Sequence, residues 1–413
     1  MSARAVAVKV LGKTRRFGSR LDIVLEQECK TLTKQDRDLV LHLCCSTVQN
    51  YRLIDFELGK HISFNKTQPQ IADILRLGIC QIWFANRIPR YAVVAESVSL
   101  AKKFAPYASG LVNAVLRKIP DTPPETDDIC IKYSMPDWLY GKLLEFMTSE
   151  SQAEDFFAAS NTVAPLCFHV SDNNILLPDT VKPHPELTGC YLLTQPDILH
   201  ELIAQGKGII ADPAARLVVM AADPKPGMRV WDCCAAPGGK SFMSALAMDN
   251  KGVVYSTDIA KDKLSKIKDG AKTLGLSNIR VGQADARTAN ADDMYDIVLC
   301  DVPCSGFGVL RKKPDIRFKS YDEIDQLPDL QLQILSNISK AVRPGGTLVY
   351  STCTILPEEN SGVIERFLKN NPEFTKTAFC LPIAGDCPDG QITLWPHKHN
   401  TDGFFICKMQ KTQ

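Results

Sequence analysis

No stretch of this chain approaches the eighteen or so consecutive apolar residues that span a bilayer. The N-terminal MSARAVAVKVLGKTRR also lacks an apolar core followed by a small-residue cleavage site. A soluble, cytoplasmic protein with no membrane partner is therefore expected. There is no CxxC pair and no Cys/His spacing of the zinc kind, although the chain carries 15 cysteines. Scattered through 413 residues, several inside strand-like apolar runs, they read as reduced thiols, and no metal is expected. A GxGxxG dinucleotide turn and a Walker-type GxxxxGKS run are both missing. So is any large excess of charge: the net value of +1 excludes a chain coated uniformly in basic residues.

What is present begins with enough apolar residues, 45%, to bury a sizeable core in two or three domains. Charge is uneven locally. Lys9, Lys13, Arg15, Arg16 and Arg20 lie in KVLGKTRRFGSR without an acid, and residues 76–118 hold seven Lys or Arg against Glu96 alone. Such stretches suit a polyanion, and a solvated helix face equally. In IADILRLGICQIWFANRI, Leu75, Gly78, Ile79, Ile82 and Trp83 recur with the helical period, and Pro89 is expected to close the helix. With two further stripes at AVVAESVSLAKKFA and at Leu111, Val112, Val115, Leu116 and Ile119, an all-helical domain over 1–125 is predicted. PDTPPETDD reads as a linker into a mixed α+β segment over 126–222, where PLCFHV and CYLLT look like short strands.

From 223 to 413 apolar β runs alternate with helical stretches: MRVWDCC, GVVYSTDI, NIRVG, YDIVLCDV, GTLVYST, and a final pair near ITLWP and DGFFICKM. This predicts a parallel, doubly wound α/β domain whose ligand crevice opens at the carboxyl ends of the strands. The first strand runs into DCCAAPGGKS, where Gly238 and Gly239 open a helix and leave backbone N–H groups bare for a ligand. Asp258, Asp285 and Asp301 are read as the ends of the next three strands. Singly, each could cap the helix that follows. Together they suit a ligand with a ribose, an adenine amino group and an α-ammonium, and S-adenosylmethionine fits best.

Two thiols, Cys304 after YDIVLCDVP and Cys353 after GTLVYST, fall just past neighbouring strands and are expected to face that crevice, whereas Cys300 lies inside an apolar run and reads as packing. Carbon 5 of a pyrimidine is a poor nucleophile until a thiolate adds to carbon 6, and that chemistry requires a cysteine. An unperturbed thiol is only about 3% ionised at neutral pH, so its surroundings must assist it. Asp301 is placed to hydrogen-bond the ring edge. A second thiol could serve release of the product.

CCAAPGGKS, DIAKDKLSKI, GQADAR, DVPCSGFGVLRKKPDIRF, STCTILPEEN and WPHKHNTDGFF occur in order over roughly 223–405, and LGICQIWFANRIPRYAVVAESVSLAKKF and GLVNAVLRKI precede them. In these motifs the chain resembles the RsmB/Sun-type RNA (cytosine-C5) methyltransferases, which carry a NusB-like helical RNA-binding domain. The resemblance implies a class I S-adenosylmethionine-dependent methyltransferase domain with a Rossmann-like fold. It implies Cys353 as nucleophile, Cys304 as the residue aiding release, and Asp301 and Lys240 beside them. It implies cofactor contacts from Cys234, Ala235, Ala236, Pro237, Gly238, Gly239, Lys240, Asp258, Asp285 and Asp301. Arg311, Lys312, Lys313 and Arg317 lie just beyond Cys304, where RNA phosphates could pass. The chain departs from the family in the middle segment, at IIADPAARLV and PLCFHVSDN.

The expected activity is methylation of carbon 5 of a cytosine in small-subunit rRNA by a monomeric enzyme without metal. A tRNA substrate is the alternative. A non-catalytic RNA-binding assembly factor would have lost an essential cysteine or the Gly-rich turn, and neither is lost. A DNA-type arrangement would instead put the nucleophile at Cys304.

Overall fold

The helical periodicity of the N-terminal third is realised in a succession of helices from Ala3–Phe17 to Ser109–Lys118. The computed structural model describes every residue except 1, 173, 176, 179, 180, 194, 195, 291–293 and 413. Ser2 and Thr33 accept backbone N–H groups at helix starts, and Gly18, at φ 62°, ends the first helix in the left-handed region. The helix Pro69–Phe84 is central. Its Ile71, Ile74, Leu75 and Ile79 are buried in one core with Leu43, Leu58 and Leu116. It stops five residues short of Pro89, which was expected to close it. A proline has no N–H to give the carbonyl of Ala85, which accepts instead from Ile88 at 2.9 Å, and Pro89 precedes the next helix, Arg90–Phe104. Arg76, counted above among the basic residues, is buried against Asp55 and Asp73 and presents no charge to solvent.

The chain divides into two compact units, Met1–Thr162 with Leu310–Tyr321, and Val163–Val309 with Asp322–Gln413. PDTPPETDD is irregular, as its prolines dictate, yet the helical unit continues past it. Ser134 Oγ accepts the N–H groups of Arg52 and Leu53 at 3.1 and 3.2 Å, and Arg52 donates to the carbonyl of Met135 at 2.6 Å. These bonds satisfy the otherwise bare start of the helix Tyr51–Leu58, so residues 126–162 pack with the helices.

In the second unit, β1 (Leu166–Val170), β2 (Lys182–Pro183), β3 (Cys190–Leu193) and β4 (Gly208–Ile210) form an antiparallel sheet in the order β2-β3-β1-β4. His169 of β1 is buried, and its Nε2 meets the carbonyl of Ala211 at 3.1 Å. Burial, then the charge of Arg216, push the ring down to about 4 from an ordinary 6.5. Between those two values the unfolded chain holds a proton that the folded one refuses, so this residue subtracts stability as pH falls from 6.5 toward 4. His169→Gln is expected to lose about 2 kcal/mol less stability than the parent between pH 7 and pH 5. Urea unfolding at both pH values checks this, and equal losses would contradict it.

The large sheet comprises β5 (Arg229–Asp232), β6 (Val253–Asp258), β7 (Ile279–Gln283), β8 (Tyr295–Asp301), β9 (Val342–Thr352) and β10 (Phe374–Lys376). After a hairpin of β11 (Phe379–Leu381) and β12 (Gly385–Cys387), β13 (Gln391–Leu394) and β14 (Phe404–Lys411) complete it. The order is β10-β14-β9-β8-β5-β6-β7, with β13 on β14. The strands β5 to β9 are parallel, as expected from their alternation with helices. The sheet is nonetheless mixed: β14 runs antiparallel to β9, β10 and β13. Only 395–403 separates β13 from β14, too short for a crossover that would bring the strand back parallel. The strand β5 has β6 on one side and β8 on the other, which makes its carboxyl end the switch point where a crevice opens.

Candidate active site

Beyond Asp232, the last residue of β5, the chain turns through Cys233–Gly238 into the helix Gly239–Ala247. Gly238 has φ 115°, and a Cβ built there would stand 2.5 Å from the Phe242 ring, so only glycine suits the position. At Gly239 an added Cβ would meet nothing within 4 Å. No side chain caps this helix, and its first N–H groups remain available to a polar ligand. Asp258, the last residue of β6, holds the turn in place: its carboxylate accepts from the N–H of Ala236 at 3.0 Å and of Ala260 at 2.9 Å. Each oxygen keeps a further lone pair for a ligand hydroxyl.

Asp301 ends β8 and is the hub of the site. Lys240 donates to its Oδ2 at 2.6 Å, and the Ser351 hydroxyl, from the adjacent strand β9, donates to Oδ1 at 2.8 Å. The Lys240 ammonium also lies 5.1 Å from the centre of the Phe404 ring. Burial works against that ammonium, but Asp301, and to a lesser degree Asp232 and Cys353, raise it above its ordinary value. It stays charged.

From β8 the chain passes Pro303 to Cys304, and from β9 it passes Thr352 to Cys353. The two sulfurs are 3.2 Å apart, although 49 residues separate them in sequence. The Gly308 N–H donates to the Cys353 carbonyl at 3.0 Å, tying one loop to the other. Both thiols are partly exposed, whereas Cys300 is wholly buried. The hydrogen bond with Cys353, together with burial, raises Cys304 well above the ordinary thiol range. Of the pair, Cys304 therefore keeps its proton, and Cys353 lies within the field of the Lys240 ammonium. Cys234 is held up by Cys233 and by burial, which leaves it a poor competitor.

Two of the residues singled out from sequence stand elsewhere than expected. Asp285 does not end β7, which stops at Gln283, and its carboxylate is gripped by Arg287, which holds it below the usual range. Arg317 is not available to a phosphate. It is 5% exposed, and its guanidinium donates to the carbonyl of Gln49 and to Asn161 Oδ1, inside the helical unit; burial pushes it down to about 9. Arg317→Met is expected to cost about 2–4 kcal/mol of stability and to leave the salt dependence of RNA binding unchanged. Denaturant unfolding with a salt titration checks both, and an unchanged stability with a shallower salt slope would contradict this assignment. Lys312 and Lys313 are exposed, and Arg311 is partly so.

Three residues escaped the sequence reading. Asp232 is buried, accepts from the Ser241 hydroxyl at 2.6 Å and is pushed up to about 6 by burial; as a strand-end acid it obeys the same rule that marked Asp258. Ser351 sits two residues before Cys353, inside a motif already noted. Glu359 lies six residues after it. Among the described residues no cluster of three or more His, Cys, Asp or Glu could hold a metal, and no helix is long and apolar enough to cross a membrane.

The donor set fits S-adenosylmethionine. A bare helix N-terminus beside an open Gly239, with carboxylates at the ends of β6 and β8, offers partners to its carboxylate, ribose hydroxyls and ammonium. Comparison with known proteins agrees. A family model described as 16S rRNA methyltransferase RsmB/F matches residues 219–410, and the NusB family matches residues 1–121. A Bacillus subtilis (strain 168) protein named probable ribosomal RNA small subunit methyltransferase B is 32% identical, over 99% of each chain. A crystal structure 24% identical in sequence shares the fold over 100% of this chain and 99% of its own, with a TM-score of 0.81. A methyltransferase homologue from Pyrococcus horikoshii, 27% identical, is covered over its whole length by 67% of this chain, with a TM-score of 0.55.

Proposed function

Because the chain belongs to the RsmB/F family of S-adenosylmethionine-dependent small-subunit rRNA methyltransferases, we propose that it methylates carbon 5 of a cytosine through a transient bond between Cys353 and carbon 6. The observation that carries this reading is the pair of sulfurs 3.2 Å apart at the ends of β8 and β9, next to the ion pair of Asp301 and Lys240.

S-adenosylmethionine supplies the electrophilic methyl group. Lys240 favours the anionic form of Cys353, whose sulfur adds to carbon 6 and moves the ring's π pair to carbon 5. Asp301 steadies the ring edge while this negative charge develops and keeps Lys240 charged. Carbon 5 then takes the methyl group and loses its proton to a base. The electron pair left behind restores the double bond and expels the Cys353 sulfur. Cys304, which retains its proton, hydrogen-bonds that departing thiolate and hastens release.

Extruding a base or reaching an exposed one requires a grip on the surrounding strand. The helical segment 1–125, the connecting segment 126–222 and the catalytic segment 223–413 divide this work, with Arg311, Lys312 and Lys313 contacting phosphates of the RNA and a single chain acting as the functional unit. The test is methylation of a small-subunit rRNA transcript, with tRNA as competitor, followed by digestion to nucleosides. 5-Methylcytidine from the rRNA is the expected product. A methyl group on ribose or on another base position would overturn the reading, and preference for tRNA would move the substrate.

A further inference from the structure

We infer that Glu359 is a positioning residue for the reaction, a buried carboxylate that fixes the two thiol-bearing loops against each other and thereby sets the spacing between Cys304 and Cys353. This inference rests on the covalent reading of the two cysteines.

Glu359 is 2% exposed. Its carboxylate gathers donors from both sides of the site. The backbone N–H of Ser305, the residue after Cys304, donates to Oε2 at 2.9 Å, and the Ser305 hydroxyl donates to Oε1. Gln331 donates to the same Oε2 at 2.8 Å and to the carbonyl of Pro303, the residue before Cys304, at 3.0 Å. The second loop enters through Thr354, the residue after Cys353. Its hydroxyl lies 2.8 Å from the Ser305 oxygen and, because the Ser305 proton is committed to Glu359, Thr354 is the donor. The Tyr350 hydroxyl donates to the Glu359 carbonyl at 2.6 Å, and the neighbouring Asn360 side chain bonds Thr352 at 2.6 Å and the Thr354 carbonyl at 3.1 Å.

Each thiol is thus flanked on both sides by residues that end, directly or through one intervening side chain, on Glu359 or Asn360. Every proton in the chain Thr354, Ser305, Glu359 points the same way, toward the carboxylate, which suits an acceptor-only group. A glutamine would present an N–H₂ where two donors already point. The first contact to fail is that of Ser305, so the geometry of Cys304, the release residue, suffers most.

The test uses the full-length chain with S-adenosylmethionine and a small-subunit rRNA transcript, and measures total turnover and the fraction of RNA bound covalently to protein. Cys304→Ala runs alongside. Glu359→Gln is expected to raise the adduct fraction about tenfold and slow turnover to match, with cofactor affinity within about twofold of the parent, because its hydrogen bonds run to Ser305, Gln331 and Tyr350 and not to Asp258 or Gly239. Ser305→Ala moves the same way, less far. A purely structural role lowers all activity and accumulates no adduct. If Cys304→Ala traps RNA while Glu359→Gln and Ser305→Ala show the parent's adduct level, this inference fails alone. If Cys304→Ala traps nothing, the covalent reading itself fails. Should Glu359→Gln lose cofactor binding, Ser305→Ala decides, and parental adduct in that variant overturns the inference.

Discussion

Cys353→Ala abolishes methyl transfer, by about four orders of magnitude or more, while cofactor binding persists. The size follows from the chemistry: without a sulfur adding to carbon 6, carbon 5 has no electron pair to offer, and no neighbouring group replaces it. Cys300 is sealed in the core, and Cys234 is kept protonated by Cys233 and by burial. Cys304 has its sulfur 3.2 Å from that of Cys353, and its raised pKa makes it the wrong partner to ionise. Cys304→Ala has the opposite signature. Addition and methyl transfer proceed, release slows, and protein accumulates on the RNA as a covalent adduct visible on a denaturing gel. Background methylation in Cys353→Ala at the parent's rate would remove the nucleophile assignment.

Asp301→Asn is expected to lower kcat/KM by about 10²- to 10³-fold, and to change its pH dependence as well as its size. Asp301 is the chief influence holding the Lys240 ammonium above its ordinary value against burial. Neutralising it leaves burial unopposed by its nearest partner and lowers the lysine's affinity for a proton. Any step that needs the charged lysine then fails on the alkaline side sooner than in the parent. The rate profile of Asp301→Asn therefore turns down at lower pH. Lys240→Met removes the charge outright and gives a profile without that limb. Parallel profiles for parent and Asp301→Asn would contradict the role given to this pair.

The strand-end acids and the thiols were legible because a parallel sheet imposes a simple geometry: where an apolar run stops, the next side chains face the crevice. That rule placed Asp258, Asp301, Cys304 and Cys353 without knowledge of tertiary contacts. It overshot at Asp285, since strand ends are defined by pairing, and β7 releases its partner at Gln283. Arg317 shows a different limit. Its neighbours Arg311, Lys312 and Lys313 read as one basic run, but Leu310–Tyr321 belongs to the helical unit, where Arg317 satisfies buried carbonyls, and charge pattern does not reveal which member of a run is turned inward. The hub at Glu359 was illegible for a related reason. Its partners Ser305, Gln331 and Thr354 come from three separate segments, and nothing in STCTILPEEN distinguishes Glu359 from Glu358 until the fold brings those donors together. The antiparallel β14 depended on chain direction, which apolar patterning does not encode.

The most direct test of the covalent claim is mass spectrometry of the protein trapped on RNA carrying 5-fluorocytidine at the target position, in the presence of S-adenosylmethionine. Fluorine cannot depart as the proton does, so the enzyme stalls after methyl transfer with its sulfur still bonded to carbon 6. The nucleotide is predicted on the peptide containing Cys353. Its recovery on the peptide containing Cys304, or the absence of any bonded peptide while unsubstituted RNA is methylated, would contradict the account.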